Sequence, residues 1–202
     1  SLAESYHIIA RINSILIDFT QDIWLYISRT IIGQKKIGGE TGSSTMPHKI
    51  NPIYFENAEG NCGLANALLN HLANKLTVSR MQRDLSGSTV VRNQGVALGH
   101  SFVGLNNLMK GVDRITINQE NMSIELDKHW EVLAEAIQTI MRKNGIPGAY
   151  NKMKDLTRGN YLDQKTIHKL ISDLNIATDD KNNLLKLTPA DYTGLANKLA
   201  QL

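Results

Sequence analysis

Leu64-Ala65-Asn66-Ala67-Leu68-Leu69-Asn70-His71-Leu72-Ala73-Asn74-Lys75-Leu76 brings a leucine back every fourth residue, an interval that places Leu64, Leu68, Leu72 and Leu76 along one face of an α-helix. Upstream, Ile8, Ile12, Ile15, Phe19 and Ile23 recur at threes and fours with Asp18 and Asp22 among the polar positions. This predicts an amphipathic helix over about 3–32, ending near Gly33. The leucine-bearing helix extends back to Pro52. After a polar connection over about 80–87, Ser88 is the expected cap of a third helix reaching about Lys110. That helix should bury Val91, Leu98, Phe102, Leu105 and Met109, while Gly95, Gly99 and Gly104 permit close approach of a neighbour. From about Gly111 the punctuation becomes frequent, with Asn118, Gly145, Pro147, Asp163, Thr178 and Thr188-Pro189 as candidate caps and stops. The expected fold is all-α: a long-helix bundle over 1–112, then a small helical domain over 113–202 without a convincingly alternating strand. Trp130 is a candidate packing anchor between the two.

Composition agrees. Of 202 residues, 42% are hydrophobic but only 5% aromatic, which favours helices on aliphatic seams over a β-sandwich. The formal charge of +3 is too mild for an extended nucleic-acid surface. Cys62, the single cysteine, has no disulfide partner and lacks spaced metal-ligating companions. No apolar run is long enough to span a bilayer, and no basic-then-apolar leader opens the chain, so a cytoplasmic protein is expected. Helical periodicity starts almost at Ser1, as in the C-terminal part of a longer protein. Ile8, Ile12, Leu68, Leu72, Leu98 and Phe102 offer more seam than three helices need, so the leftover stripes should meet other subunits.

Between the first two helices lies Gly42-Ser43-Ser44-Thr45-Met46-Pro47-His48-Lys49-Ile50-Asn51-Pro52. Gly33, Gly38, Gly39 and Gly42 leave its upstream side permissive, and Pro47 and Pro52 stiffen its downstream end. Asn51 as N-cap and Pro52 as first helical residue would deliver the hydroxyls of Ser43 and Ser44, the Lys49 ammonium and the Asn51 amide to a helix N-terminus, which favours anions. This predicts a lid over an anionic substrate. A second constellation, Arg83, Ser88, Thr89 and Arg92, could cradle a phosphate if Ser88 stands at a helix start with Arg92 on the same face. The competing reading is a cap flanked by surface arginines.

Gly-Ser-Ser-x-Met-Pro-x-Lys-x-Asn-Pro at 42–52 resembles the signature of the fumarase/aspartase superfamily, whose members eliminate fumarate from a succinyl group. Tyr54-Phe55-Glu56-Asn57-Ala58-Glu59-Gly60-Asn61, Arg83-Asp84-Leu85-Ser86-Gly87-Ser88-Thr89-Val90-Val91-Arg92-Asn93, Asn144-Gly145 and Leu156-Thr157-Arg158-Gly159 are similar in order and spacing to the bacterial adenylosuccinate lyase family. That resemblance runs over essentially the whole chain.

It implies a β-elimination releasing fumarate from adenylosuccinate to give AMP, and from succinyl-aminoimidazole-carboxamide ribotide, in purine biosynthesis. It needs no metal or organic cofactor. On chemistry alone either Ser43 or Ser44 could be a base if its alkoxide were strongly stabilised; the resemblance assigns Ser43. It likewise implies substrate contacts from Ser44, Lys49, Ile50, Asn51 and Asn57, and phosphate or nucleotide contacts from Arg83, Ser88, Thr89, Val90, Val91 and Arg92. The family's acid histidine lies in an upstream segment, so this chain is expected to carry the base side only and to be inactive alone. His48 then reads as a lid residue and His129 has no assigned role. A homotetramer with sites shared between subunits is also implied. Two competing readings are an argininosuccinate lyase, disfavoured by the phosphate cluster its substrate would not need, and a non-catalytic helical oligomerisation or binding module.

Overall fold

The computed structural model describes residues 1–35, 51–81, 84–159 and 162–201, the side chain of Leu156 excepted. It is all-α apart from one two-stranded sheet, and the chain forms two compact units, Ser1–Asn118 and Gln119–Leu202. The first unit holds α1 (Leu2–Ser28), β1 (Ile32–Gln34), α2 (Ile53–Leu76), α3 (Leu85–Val91), α4 (Gln94–Val112) and β2 (Ile115–Ile117). The second holds α5 (Gln119–Leu126), a 3-10 turn (Trp130–Leu133), α6 (Ala134–Lys143), α7 (Ala149–Thr157), α8 (Gln164–Asp173), α9 (Thr178–Lys186) and α10 (Ala196–Leu199).

α1 is shorter than its periodicity suggests. It stops because Thr30 takes φ 58° and lets the Ile31 amide donate back to the Tyr26 carbonyl at 3.0 Å, turning the chain into β1. β1 pairs antiparallel with β2, Ile32 opposite Ile117 and Gln34 opposite Ile115. Three-residue strands carry too little alternation to be read from sequence.

The buried faces differ from those expected. α1 buries Tyr6, Ala10, Asn13, Thr20 and Ile23, whereas Ile8, Ile12, Ile15 and Phe19 are exposed. α1 is apolar on more than one side, and the inward side is the one where Asn13 Nδ2 donates to Asn66 Oδ1 at 3.0 Å and Ser101 Oγ at 2.8 Å. These bonds let a polar residue only 2% exposed sit where three helices meet. On α2 the core face is Phe55, Ala58, Cys62, Ala65, Leu69, Leu72 and Ala73, with Leu64 turned to solvent.

The expected third helix is in fact two. α3 is capped by Asp84, not Ser88, and the chain breaks at Arg92 and Asn93 before α4 begins. Val91, Leu98, Phe102, Leu105 and Met109 are not buried; Phe102 is 66% exposed. α4 instead presents Ala97, Gly104, Leu108 and Gly111 to the core. A Cβ at Gly104 would lie 2.7 Å from Cys62 Sγ, and one at Gly111 would lie 2.8 Å from the Phe55 ring. The small residues bring α4 against α2, so the large ones fall on the far side.

In the second unit, Trp130, Leu133, Ile137, Met141, Met153, Ile167, Ile171 and Leu184 form the core. Trp130 packs edge-on to His168 with centroids 5.9 Å apart, so its packing partner belongs to its own unit. Gly145, at φ 71°, ends α6 as expected, and Asp163 caps α8 by accepting from the Thr166 amide at 2.9 Å. Lys143 and Asn144 bind the two oxygens of Asp180 at 2.7 and 2.8 Å, tying α6 to α9 and holding that carboxyl below its ordinary value.

Candidate functional site

Ser43, Ser44, Lys49, Ile50 and Arg83 lie outside the described residues. Asn51, Asn57, Ser88, Thr89, Val90, Val91 and Arg92 are all placed, and all belong to the first unit.

Asn51 is half-buried and directly precedes Pro52, the cap of α2. The cap falls one position later than expected: the Pro52 carbonyl accepts from the Phe55 and Glu56 amides at 3.0 and 3.1 Å. Asn57, one turn into α2, is exposed. Its Nδ2 donates to the Ile53 carbonyl at 2.9 Å, and among the described residues its Oδ1 accepts nothing. Beside it Glu56 accepts from Trp24 Nε1 at 3.1 Å, pinning this end of α2 to α1.

The second group sits on α3. Asp84 Oδ1 accepts from the Ser86 amide at 3.0 Å and the Ser86 hydroxyl at 2.5 Å, and Lys75 Nζ reaches Oδ2 at 3.2 Å. The Ser86 bonds first, then Lys75, hold this carboxyl far below the ordinary carboxylate range. Capping of α3 is thereby fulfilled by Asp84, and Ser88 stands inside the helix and not at its start. Half-buried Val90 packs on the core formed by Tyr6, Leu69, Leu72 and Ala97, and Val91 is exposed. The hydroxyls of Ser88 and Thr89 and the guanidinium of Arg92 make no hydrogen bond or ion pair with any described residue. Half-buried Ser88 and exposed Thr89 and Arg92 thus place three donors within about one turn that bind no other described residue, and one carries a positive charge.

The two groups are not neighbours. α4 runs back along α2, with His100 Nδ1 2.8 Å from Asn61 Oδ1, Gly104 against Cys62 and Gly111 against Phe55. α3 is thus tied to the C-terminal end of α2 through Lys75, whereas Asn51 and Asn57 lie at its N-terminal end. At 1.5 Å per residue, Asn57 and Lys75 are ~27 Å apart along the helix.

Sequence reasoning passed over Arg114, whose guanidinium carbon stands 4.5 Å over the centroid of the Tyr54 ring. A lone arginine after α4 carries no signal in sequence; only β2 brings it there. Cys62 is fully buried, and burial pushes its thiol pKa up, which suits packing better than reactivity. Glu131 feels burial, which raises its pKa, yet the 2.6 Å contact with His129 Nδ1 brings it below its ordinary value. Among the described residues no three His, Cys, Asp or Glu side chains gather to hold a metal ion, and no helix is long and apolar enough to cross a membrane. A groove lined by Gln138, Tyr150, Lys154 and Arg158 belongs to the second unit and contains none of the expected site residues.

The family model described as "Adenylosuccinate lyase C-terminal" matches residues 79–193, and one described as "Lyase" matches residues 1–66. The chain is 55% identical over 200 residues to an adenylosuccinate lyase of Legionella pneumophila strain Corby, covering 99% of this chain and 44% of that one. It is 51% identical over 195 residues to an adenylosuccinate lyase of Escherichia coli K12, covering 96% and 43%. The chain therefore spans less than half the length of these relatives. In fold it is similar to the crystal structure of 3-carboxy-cis,cis-muconate lactonizing enzyme from Pseudomonas putida, with a TM-score of 0.69 at 21% identity, covering 99% of this chain and 46% of the other. The match over residues 79–193 takes in α3, α4 and nearly all of the second unit, and the chain belongs to the adenylosuccinate lyase C-terminal family.

Proposed function

We propose that the chain supplies the base and phosphate-binding parts of an adenylosuccinate lyase of purine biosynthesis. The observation that supports this most is the 55% identity to the Legionella adenylosuccinate lyase over 99% of the chain. The first unit would be part of a central helical bundle and the second a C-terminal helical domain. Ser43, as alkoxide, takes the proton from the carbon beside a succinyl carboxylate. The C–H electron pair becomes the C=C bond of fumarate, and the C–N bond breaks with its pair going to nitrogen, which is protonated by an acid from another segment. Lys49 and Asn51, with Ser44, Ile50 and Asn57 around the substrate, hold the extra negative charge of the aci-carboxylate. Arg92 with Ser88, Thr89, Val90, Val91 and Arg83 takes the nucleotide and its phosphate. The donors of Ser88, Thr89 and Arg92, which bind no other described residue, favour this over argininosuccinate, which has no phosphate to offer them. The 202 residues alone are expected not to turn over, and the enzyme is expected in the cytoplasm.

The ~27 Å between Asn57 and Lys75 along α2, with the start of α3 held at the Lys75 end, supports sites shared between subunits of a homotetramer. The exposed face of Ile8, Ile12, Leu98 and Phe102 supplies apolar surface for that assembly. In the full-length enzyme, Ser43→Ala should abolish fumarate release while leaving AMP affinity largely intact. Arg92→Ala should weaken AMP by about tenfold to hundredfold and leave adenosine unchanged. Near-normal turnover by Ser43→Ala, or equal loss of AMP and adenosine with Arg92→Ala, refutes the assignment.

A further inference from the structure

We propose that the groove between α6 and α7 binds a mononucleotide, taking its phosphate on Lys154 and Arg158 and its base on Tyr150. The groove belongs wholly to the second unit and encloses about 520 Å³, which lies within the range of small-molecule sites.

Tyr150, Met153 and Lys154 recur at threes and fours on one face of α7, and Arg158 closes that face. The Arg158 amide donates to the Lys154 carbonyl at 2.9 Å, so the two cations stand one turn apart. Neither the Lys154 ammonium nor the Arg158 guanidinium binds any other described residue. Like charges at that spacing repel along a helix, and a bound dianion relieves the repulsion. Glu135, the one carboxylate lining the groove among the described residues, accepts instead from the Tyr192 hydroxyl at 3.2 Å. On the α6 side, Arg142 Nη2 reaches the Gln138 side-chain oxygen at 2.8 Å, which leaves the Gln138 amide N–H groups as donors to a ligand. Met153, only 3% exposed, gives the groove an apolar base, and Tyr150, 56% exposed, gives it an aromatic wall. A bare anion would use neither the volume nor the ring. A flat base stacked on Tyr150 uses both. Lys154 lies ~6 Å from Tyr150 along the helix, close enough for one small ligand to reach the two. Two cations match a single phosphate, whereas a nucleic-acid strand would need a longer row of them.

The binding is read by calorimetric titration of AMP, adenosine and inorganic phosphate into the 202-residue chain carrying Arg92→Ala, which removes the cation of α3 as a competing phosphate ligand. AMP should bind once per chain and more tightly than adenosine or phosphate. Added to that background, Lys154→Ala and Arg158→Ala should each weaken AMP by about tenfold to hundredfold. Tyr150→Leu should weaken AMP by about tenfold and leave inorganic phosphate unchanged. Lys152→Ala, at an exposed lysine of α7 outside the groove, should be silent. All four side chains except Tyr150 are charged and exposed, and circular dichroism of every variant should match the parent. AMP binding that is absent from the Arg92→Ala parent, that survives the Lys154→Ala/Arg158→Ala double variant, or that falls as much with Lys152→Ala overturns the proposal. Equal affinity for AMP and phosphate with a silent Tyr150→Leu overturns it too, since the groove would then hold an anion and no base. None of these readouts depends on turnover, so their failure is separate from any failure of the lyase reading.

Discussion

Gly104→Ala tests whether α4 is held against α2 by the absence of a side chain. The new Cβ would stand 2.7 Å from Cys62 Sγ and 3.3 Å from the Ala58 carbonyl oxygen, and Cys62 is itself fully buried with nowhere to swing. Alanine gains ~1 kcal/mol of helix propensity over glycine in the helix interior, while overpacking costs ~1–3 kcal/mol, so the variant should be destabilised by up to ~2 kcal/mol. Cys62→Ala alone should cost ~1 kcal/mol for the lost buried sulfur. In the double variant the Sγ clash is gone, so the two changes should couple favourably by ~1–3 kcal/mol. Gly99→Ala is the control: nothing lies within 4 Å of its Cβ position, and the chain should be unchanged or gain up to ~1 kcal/mol. Urea unfolding at one fixed protein concentration, followed by circular dichroism, measures all four. Single-variant effects that sum to the double within ~0.5 kcal/mol would show that no Cys62–Gly104 contact governs the packing.

Two further outcomes are expected of the same chain. Asn13→Ala removes the donor shared by Asn66 and Ser101 at a buried three-helix junction and should cost ~1–3 kcal/mol in the same assay; a loss below ~0.5 kcal/mol would refute the junction. The Asp84 carboxyl is depressed from its ordinary 3.8, so its stabilisation is complete above about pH 4 and drains away as pH falls through its lower folded value. Asp84→Asn should therefore narrow its stability gap to wild type as pH drops below 4, measured by unfolding from pH 7 to pH 2; a gap that stays constant across that range would contradict the Ser86 and Lys75 bonds.

The existence of α1 and α2 was legible because their apolar residues repeat at helical intervals over many turns. Which side turns inward was not. α1 carries Ile8, Ile12 and Ile15 on one side and Tyr6, Ala10 and Ile23 on another, and large aliphatics outweighed small or polar residues in the reading. Burial followed closeness of approach instead, through Ala97, Gly104 and Gly111, and followed the polar junction at Asn13. Asp84 and Ser88 are both acceptable caps by residue type. Asp84 prevailed because its carboxylate also meets Lys75, a contact between positions nine apart on different elements. At the candidate site, the family-like residues were read as two groups, but their separation along one helix is a property of three-dimensional structure. Arg114 was illegible for the same reason.

The β1–β2 pairing also dictates an order of events. α1, α2 and α4 meet between successive stretches of chain, whereas Ile32 must wait for Ile117. Pairings distant in sequence close late, after the helices that shorten the intervening loop have formed. Until then β1 remains an edge without a neighbour, and at three residues it is too short to recruit a foreign strand. The first unit is therefore finished from its far end, and a chain cut just after α4 would keep its helices while leaving β1 without its partner strand.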